Sequence, residues 1–227
     1  LTVSTSSQEV TLQAHKLFSR GVPAIGQVVF KSFPTLRQAW ASLLRNEIDA
    51  VSNVSGDAQE FLTNGTVETF TFQRHYAYVM AFNAQRPQLR RAEVRRALNA
   101  AVDRNVIIKS VFKGLGRPAF SPIWPDHWAY DKTVAGYSYD PSLATATLNA
   151  AGFGADERTR SPSRLKFTCM VPRGHAVFER LALTLQRQFY DVGVDLGLES
   201  VPLSDFDGLL RTGKFDAALL DLVSAPS

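Results

Sequence analysis

The sequence predicts an α/β fold built on a mixed, largely parallel sheet flanked by helices. Three observations predict it. Residues 164–202 read as strand, helix, strand: "RLKFTCMVP", a helical stretch over 176–191, then "VGVDLGLESVP" with Val194, Leu196 and Leu198 alternating. "FDAALLDLV", residues 215–223, is a continuous apolar run of the kind that parallel strands show when both faces are covered. Upstream, capped helical patterns alternate with strand-like ones, which places helices on the faces of a sheet.

The elements follow in order. "QVVFKSF" (27–33) alternates like a strand, and Thr35 with Gln38 makes a capping box for a helix whose Leu36, Trp40, Leu43 and Leu44 share a face. That helix stops at Asn46, and "EIDAV" begins a second strand. Ser55 caps a short helix through Leu62, and the β-branched and aromatic stretch 67–83 reads as one or two strands. Val94, Ala97, Leu98 and Ala101 then share a helix face, and Asp103 restarts a second helix bearing Ile107, Ile108, Val111 and Phe112. Gly114 is the C′ residue of that helix, and "KGLG" lacks the spacing of either glycine-rich phosphate fingerprint. Residues 117–139 are irregular, rich in proline and aromatics, so they must be held by their own packing or line something. Asp140 and Pro141 supply an N-cap and N1 for a helix with Leu143, Thr147, Leu148 and Ala151 inward, closed by Gly152. Ser204 and Asp207 form a further capping box for a helix ending near Gly213.

Composition narrows the function. A hydrophobic fraction of 45% over 227 residues describes a globular chain, and a net charge of +4 gives no nucleic-acid footprint. The arginines cluster once, at Arg90, Arg91, Arg95 and Arg96, as a solvated helix face with Arg95 expected to pair with Asp103. The single cysteine, Cys169, lies in the apolar run "LKFTCMV" and reads as a core hydrophobe. No apolar stretch is long enough to span a bilayer, and the first residues lack a signal-peptide layout. The abrupt start and end suggest a piece excised from something longer.

Hydrolytic chemistry finds little support. The four histidines fall in no metal or nucleophile motif, and a triad of Ser121, His127 and Asp131 is a chance grouping within one loop. No cofactor, metal or enzymatic activity is expected. Candidate binding residues lie elsewhere. Arg173 and His175 sit between a strand and the following helix, where α/β proteins place ligands because free backbone N–H groups and the helix dipole face outward. Trp124 and Trp128 can stack on or wall off a ligand, and Asp221 near the end of a buried strand needs a partner or solvent. Asp216, at the start of that strand, serves a turn.

The stretches "AFNAQRP", "VRRALNAAVDRNVIIKSVFKGLGRPAFSPIWP" and "YDPSLATATLNAAGF" resemble the family-5 extracellular solute-binding proteins, the peptide and nickel receptors of bacterial ABC importers. "NEIDAV", "VGVDLGLESVP" and "KFDAALLDL" continue the likeness to the C-terminus. The resemblance implies a periplasmic-binding-protein-like (type II) lobe. It assigns residues 1–24 to a remnant of a first lobe or hinge and 25–227 to the second lobe of a two-lobed, monomeric protein. A small-molecule or peptide ligand would be enclosed between the lobes, the partner would be an ABC membrane permease, and the receptor itself would be periplasmic or otherwise extracytoplasmic. The ligand set Trp124, Trp128, Arg173, His175 and Asp221 would belong to that cleft. A ligand-sensing domain of a transcription regulator with the same fold is the alternative. Peptide-binding members carry an aspartate in a G-W-x-x-D-Y-like segment where this chain reads "LDLVSAPS", so recognition of a free amino terminus does not carry over.

Overall fold

In the computed structural model, residues 3–5, 8–52, 67–70, 76–121, 123, 127–133, 136–154 and 165–223 are described. They fall into two compact units, Leu1–Thr69 and Phe70–Ser227.

The first unit is a three-stranded antiparallel sheet in the order β1 (Val3–Thr5), β2 (Glu9–Gln13), β3 (Gln27–Lys31), with helix α1 (Leu36–Leu44). Glu9 lies opposite Lys31 in the β2–β3 register and pairs with it at 3.3 Å. Thr35 caps α1 as predicted, its Oγ1 accepting from the Gln38 amide at 3.3 Å. The helix ends where Asn46 turns into the left-handed region at φ 58°. The strand expected at 47–51 does not form. A strand requires a ladder partner. None faces this segment among the described residues, and the Glu47 amide instead closes the helix end on the Ser42 carbonyl at 2.9 Å. The predicted helix from Ser55 to Leu62 lies outside the described residues.

The second unit is built on a four-stranded sheet, in the order β4 (Tyr76–Phe82), β7 (Ala217–Val223), β5 (Leu165–Pro172), β6 (Val194–Val201). β5 runs parallel to both β6 and β7, and β4 runs antiparallel to β7, so the sheet is mixed and largely parallel. The apolar run "FDAALLDLV" thus occupies an interior strand, with Ala217, Ala218 and Leu219 buried. Side-chain alternation sends odd residues of β5 and β7 to one face, where Phe167 meets Phe82 and Phe189 of helix α6 (Ala176–Asp191). Even residues Met170 and Ala218 face the other side, against Phe206 of helix α7 (Leu203–Arg211).

The remaining helices extend the first face. After β4 come α2 (Pro87–Arg90), α3 (Ala92–Ala100) and α4 (Arg104–Ser110), then α5 (Pro141–Leu148) with a wide π-helical turn, Asn149–Phe153. Val94, Ala97, Leu98 and Ala101 are buried, and Asp103 caps α4 by accepting from the Asn105 and Val106 amides at 2.9 and 3.1 Å. Asp140 caps α5 on the Leu143 amide at 2.8 Å, and Gly152, at φ 89°, closes the turn that follows.

Several expectations are corrected. Leu143 is exposed, and the inward stripe of α5 is Ala144, Leu148 and Ala151. α5 packs on α3, whose small residues Ala97 and Ala100 favour a small residue opposite. Arg95 does not reach Asp103. That carboxylate is engaged by its own helix, and Arg95 Nη1 donates to the Leu89 and Arg90 carbonyls at the end of α2, at 2.8 and 2.6 Å. α7 starts at Leu203 behind Pro202, whose φ of −59° already fits helix entry, so Ser204 lies within the helix and bonds Asp205 instead of capping. Within 67–83 the described strand is confined to Tyr76–Phe82.

One polar knot fixes the amino-terminal end of the parallel strands. Asn83, buried just after β4, donates Nδ2 to the carbonyls of Gly213 and Phe215 at 3.1 and 2.9 Å and accepts from the Gln85 amide at 3.0 Å. Beside it Asp216 accepts from the Thr168 amide and hydroxyl at 3.1 and 3.2 Å, and pairs with Arg86 at 3.0 Å. "FNAQR" and "KFD", far apart in sequence, are two halves of one joint. The turn role predicted for Asp216 is therefore larger: it ties β7 to β5 and to the entry of α2.

Candidate functional site

The knot occupies one end of the sheet, and Arg173, His175 and Asp221 lie at the other. β5, β6 and β7 are mutually parallel, so their carboxyl ends lie together, which is where open α/β sheets bind ligands. Ladder bonds between β5 and β7 stop at Met170↔Ala218. Carried three residues further, that register sets Arg173 level with Asp221 beyond the last paired step.

Arg173 is exposed at the exit of β5. Its amide donates to the Val201 carbonyl at 2.8 Å, and its guanidinium reaches the Ser200 carbonyl at 3.1 Å and hydroxyl at 3.4 Å. The side chain is thus steadied against β6 and open to solvent. Gly174, at φ 79°, makes the turn into α6 in the left-handed region. His175 is the N-cap residue of α6, makes no side-chain cap bond, and sets its ring edge-on to Phe178 at 6.2 Å.

Asp221 is exposed on the same face and stands opposite Tyr78 in the β4–β7 register. Tyr78 in turn packs against Phe178 at 5.3 Å and Phe112 at 4.9 Å. A row of aromatic rings, His175, Phe178, Tyr78 and Phe112, therefore lies at the carboxyl end of the sheet beside Arg173 and Asp221. The arrangement offers one cation, one anion and a set of rings that meet edge-on or tilted. Sequence reasoning missed Tyr78, because within "YAYVMAF" an aromatic on alternate positions reads as core.

Of the remaining candidates, Trp124 lies outside the described residues. Trp128 is 85% exposed, on a turn where His127 Nδ1 accepts from the Ala129 amide at 3.2 Å. The triad grouping dissolves. Ser121 accepts from the Ile123 amide, His127 from Ala129, and Asp131 from Thr133, so each caps its own turn. The Thr133 hydroxyl, donating at 2.6 Å, and the Thr133 amide hold the Asp131 carboxyl below its usual range. Cys169 is fully buried, and desolvation pushes its thiol up to about 12, which withholds the thiolate that nucleophilic chemistry needs. Among the described residues, no group of three or more His, Cys, Asp or Glu side chains is placed to hold a metal ion. No helix among them is long and apolar enough to cross a membrane.

The sequence profile of the bacterial extracellular solute-binding proteins, family 5, middle region, matches residues 2–227. The chain belongs to this family. Among its curated relatives, heme-binding protein A of Haemophilus influenzae is 29% identical over 150 residues, covering 65% of this chain and 27% of that protein. The dipeptide-binding protein of Escherichia coli is 30% identical over 57% of this chain and 24% of its own length. The oligopeptide-binding protein AppA of Bacillus subtilis is 26% identical over 87% and 37%. Among solved structures, NikA from Brucella suis in complex with Fe(III)-EDTA superposes with a TM-score of 0.85 at 23% identity, covering 100% of this chain and 47% of that one. AppA from Bacillus subtilis with a nonapeptide gives 0.73 at 23%, covering 99% and 46%. These superpositions establish the fold, a type II periplasmic-binding-protein-like architecture. The family-5 chain described here spans less than half the length of each of these relatives.

Proposed function

We propose that this family-5 chain supplies one lobe of a solute receptor for an ABC importer, working outside the cytoplasm and without catalysis. The observation that carries the reading is the family match across residues 2–227. The unit Phe70–Ser227 is the body of that lobe. Residues 25–227 are taken as the second lobe and 1–24 as a remnant of the first lobe or hinge, whose β2 pairs with β3. The ligand is a small solute, peptide-like or a metal chelate or porphyrin, as relatives named for dipeptides, oligopeptides and heme suggest. It is enclosed against a second lobe, which supplies the remaining contacts and closes by a hinge. Arg173, His175, Asp221 and Trp128 are the contacts from this side. The partner is the membrane permease.

The test is substitution in the two-lobed protein, read against a Ser-Thr-Ser-Ala peptide, hemin and Ni(L-His). Arg173→Ala and Asp221→Ala are each expected to weaken the probe that binds about tenfold or more, as central interface contacts do. Thermal midpoints should move little, because both side chains are exposed. Unchanged affinity in both variants refutes the site.

A further inference from the structure

The loop after α4 is fastened at both ends by one device. Arg104, in the first turn of α4, is partly buried, and its Nε donates to the Ala119 carbonyl at 3.0 Å. Its Nη1 donates to the Val102 carbonyl at 3.4 Å, and its Nη2 to Asn99 Oδ1. The guanidinium carbon lies 5.3 Å from the centroid of the Phe120 ring. Phe120 also lies flush against Gly136, where an added Cβ would stand 2.6 Å from Phe120 Cγ and Cδ1. Gly136 is thus required for close approach and not for a left-handed backbone. Just beyond, the Asp140 amide donates to the Ala100 carbonyl at 2.8 Å. Between the fastened ends, the His127–Tyr130 turn, closed by a 3.0 Å bond from the Tyr130 amide to the His127 carbonyl, holds Trp128 out to solvent.

We propose that Arg104, Phe120 and Gly136 form a clasp that positions the turn carrying Trp128 for ligand contact, with Arg104 as a positioning residue. The ligand part rests on the reading of Trp128 given above. An exposed tryptophan serves binding best when its backbone is fixed before the ligand arrives, because less freedom is then lost on association. A lysine at 104 would not replace the arginine, since only a planar fork bonds in three directions and stacks on the ring at once.

The experiment is hydrogen exchange on the two-lobed protein, comparing wild type, Arg104→Ala, Gly136→Ala and the double variant. Exchange in residues 127–133 should accelerate about tenfold in each single variant, with α6 residues 176–191 unchanged, as local opening predicts. The double variant should be no faster than the faster single, because both break the same device. Unchanged exchange at 127–133 in both single variants, or equal acceleration in α6, overturns the clasp. The dissociation rate of whichever of Ser-Thr-Ser-Ala, hemin or Ni(L-His) binds should rise about tenfold in Trp128→Ala and in both clasp variants. Faster exchange with every dissociation rate unchanged, in Trp128→Ala as well, overturns the ligand part and with it the assignment of Trp128 to the site.

Discussion

Asn83→Ala should cost about 2–4 kcal/mol of stability, since it strips partners from the Gly213 and Phe215 carbonyls and the Gln85 amide at a buried joint. For a chain of this size that corresponds to a fall of roughly 6–12 °C in thermal midpoint, measurable by calorimetry or circular dichroism. Asn83→Asp should do no better. It keeps the acceptor for Gln85 but replaces the two donated bonds with a carboxylate facing two carbonyl oxygens. Gln85→Ala, on the exposed neighbour, should move the midpoint by no more than a degree or two. A loss for Asn83→Ala no larger than that of Gln85→Ala would mean that the joint does not hold the sheet.

Phe189→Ala is expected to be larger still. Phe189 is 1% exposed on α6, with its ring tilted against Phe167 of β5 at 6.2 Å, so it spans the interface between helix and sheet. Truncating a buried phenylalanine removes its transfer energy and leaves a cavity, about 3–5 kcal/mol together. The adjacent Tyr190 is 65% exposed, and Tyr190→Ala should change stability by about 0.5 kcal/mol or less. Chemical denaturation of the pair therefore reads out which face of α6 carries the core. Equal effects at 189 and 190 would contradict the packing described here.

Elements set by local chemistry were legible in the sequence. Thr35, Asp103 and Asp140 each announce a helix start, because a cap needs only a side-chain oxygen and an amide two or three residues on. The run "FDAALLDLV" announced an interior strand, because both of its faces must be covered. Features set by distant partners were not legible. Residues 47–51 have strand composition, but composition cannot supply a ladder partner. Arg95 had Asp103 in reach by sequence, yet the unsatisfied carbonyls at the end of α2 took it. The joint between Asn83 and the 213–216 turn could not be read from periodicity either, since only the antiparallel pairing of β4 with β7 brings those segments together.

The candidate site divides the same way. Arg173 and His175 were singled out from their place after a strand, a position with a general physical meaning. Asp221 was singled out because a carboxylate inside an apolar run demands an explanation, and the fold answers with exposure at the strand end. Tyr78 was not singled out, because its place opposite Asp221 follows only from the pairing of β4 with β7. Arg104 was not singled out, because the Ala119 carbonyl that it bonds lies 15 residues on.

The central claim, that this chain is one side of a two-lobed solute receptor, is tested most directly by thermal shift. The two-lobed protein and the 227-residue chain would be measured side by side against the Ser-Thr-Ser-Ala peptide, hemin and Ni(L-His). A ligand at a hundredfold excess over its dissociation constant adds about 2.7 kcal/mol to the folded state, a shift of several degrees. The account predicts such a shift for at least one probe in the two-lobed protein and little or none in the chain alone. Silence of the two-lobed protein toward all three, or an equal shift in the isolated chain, would contradict it.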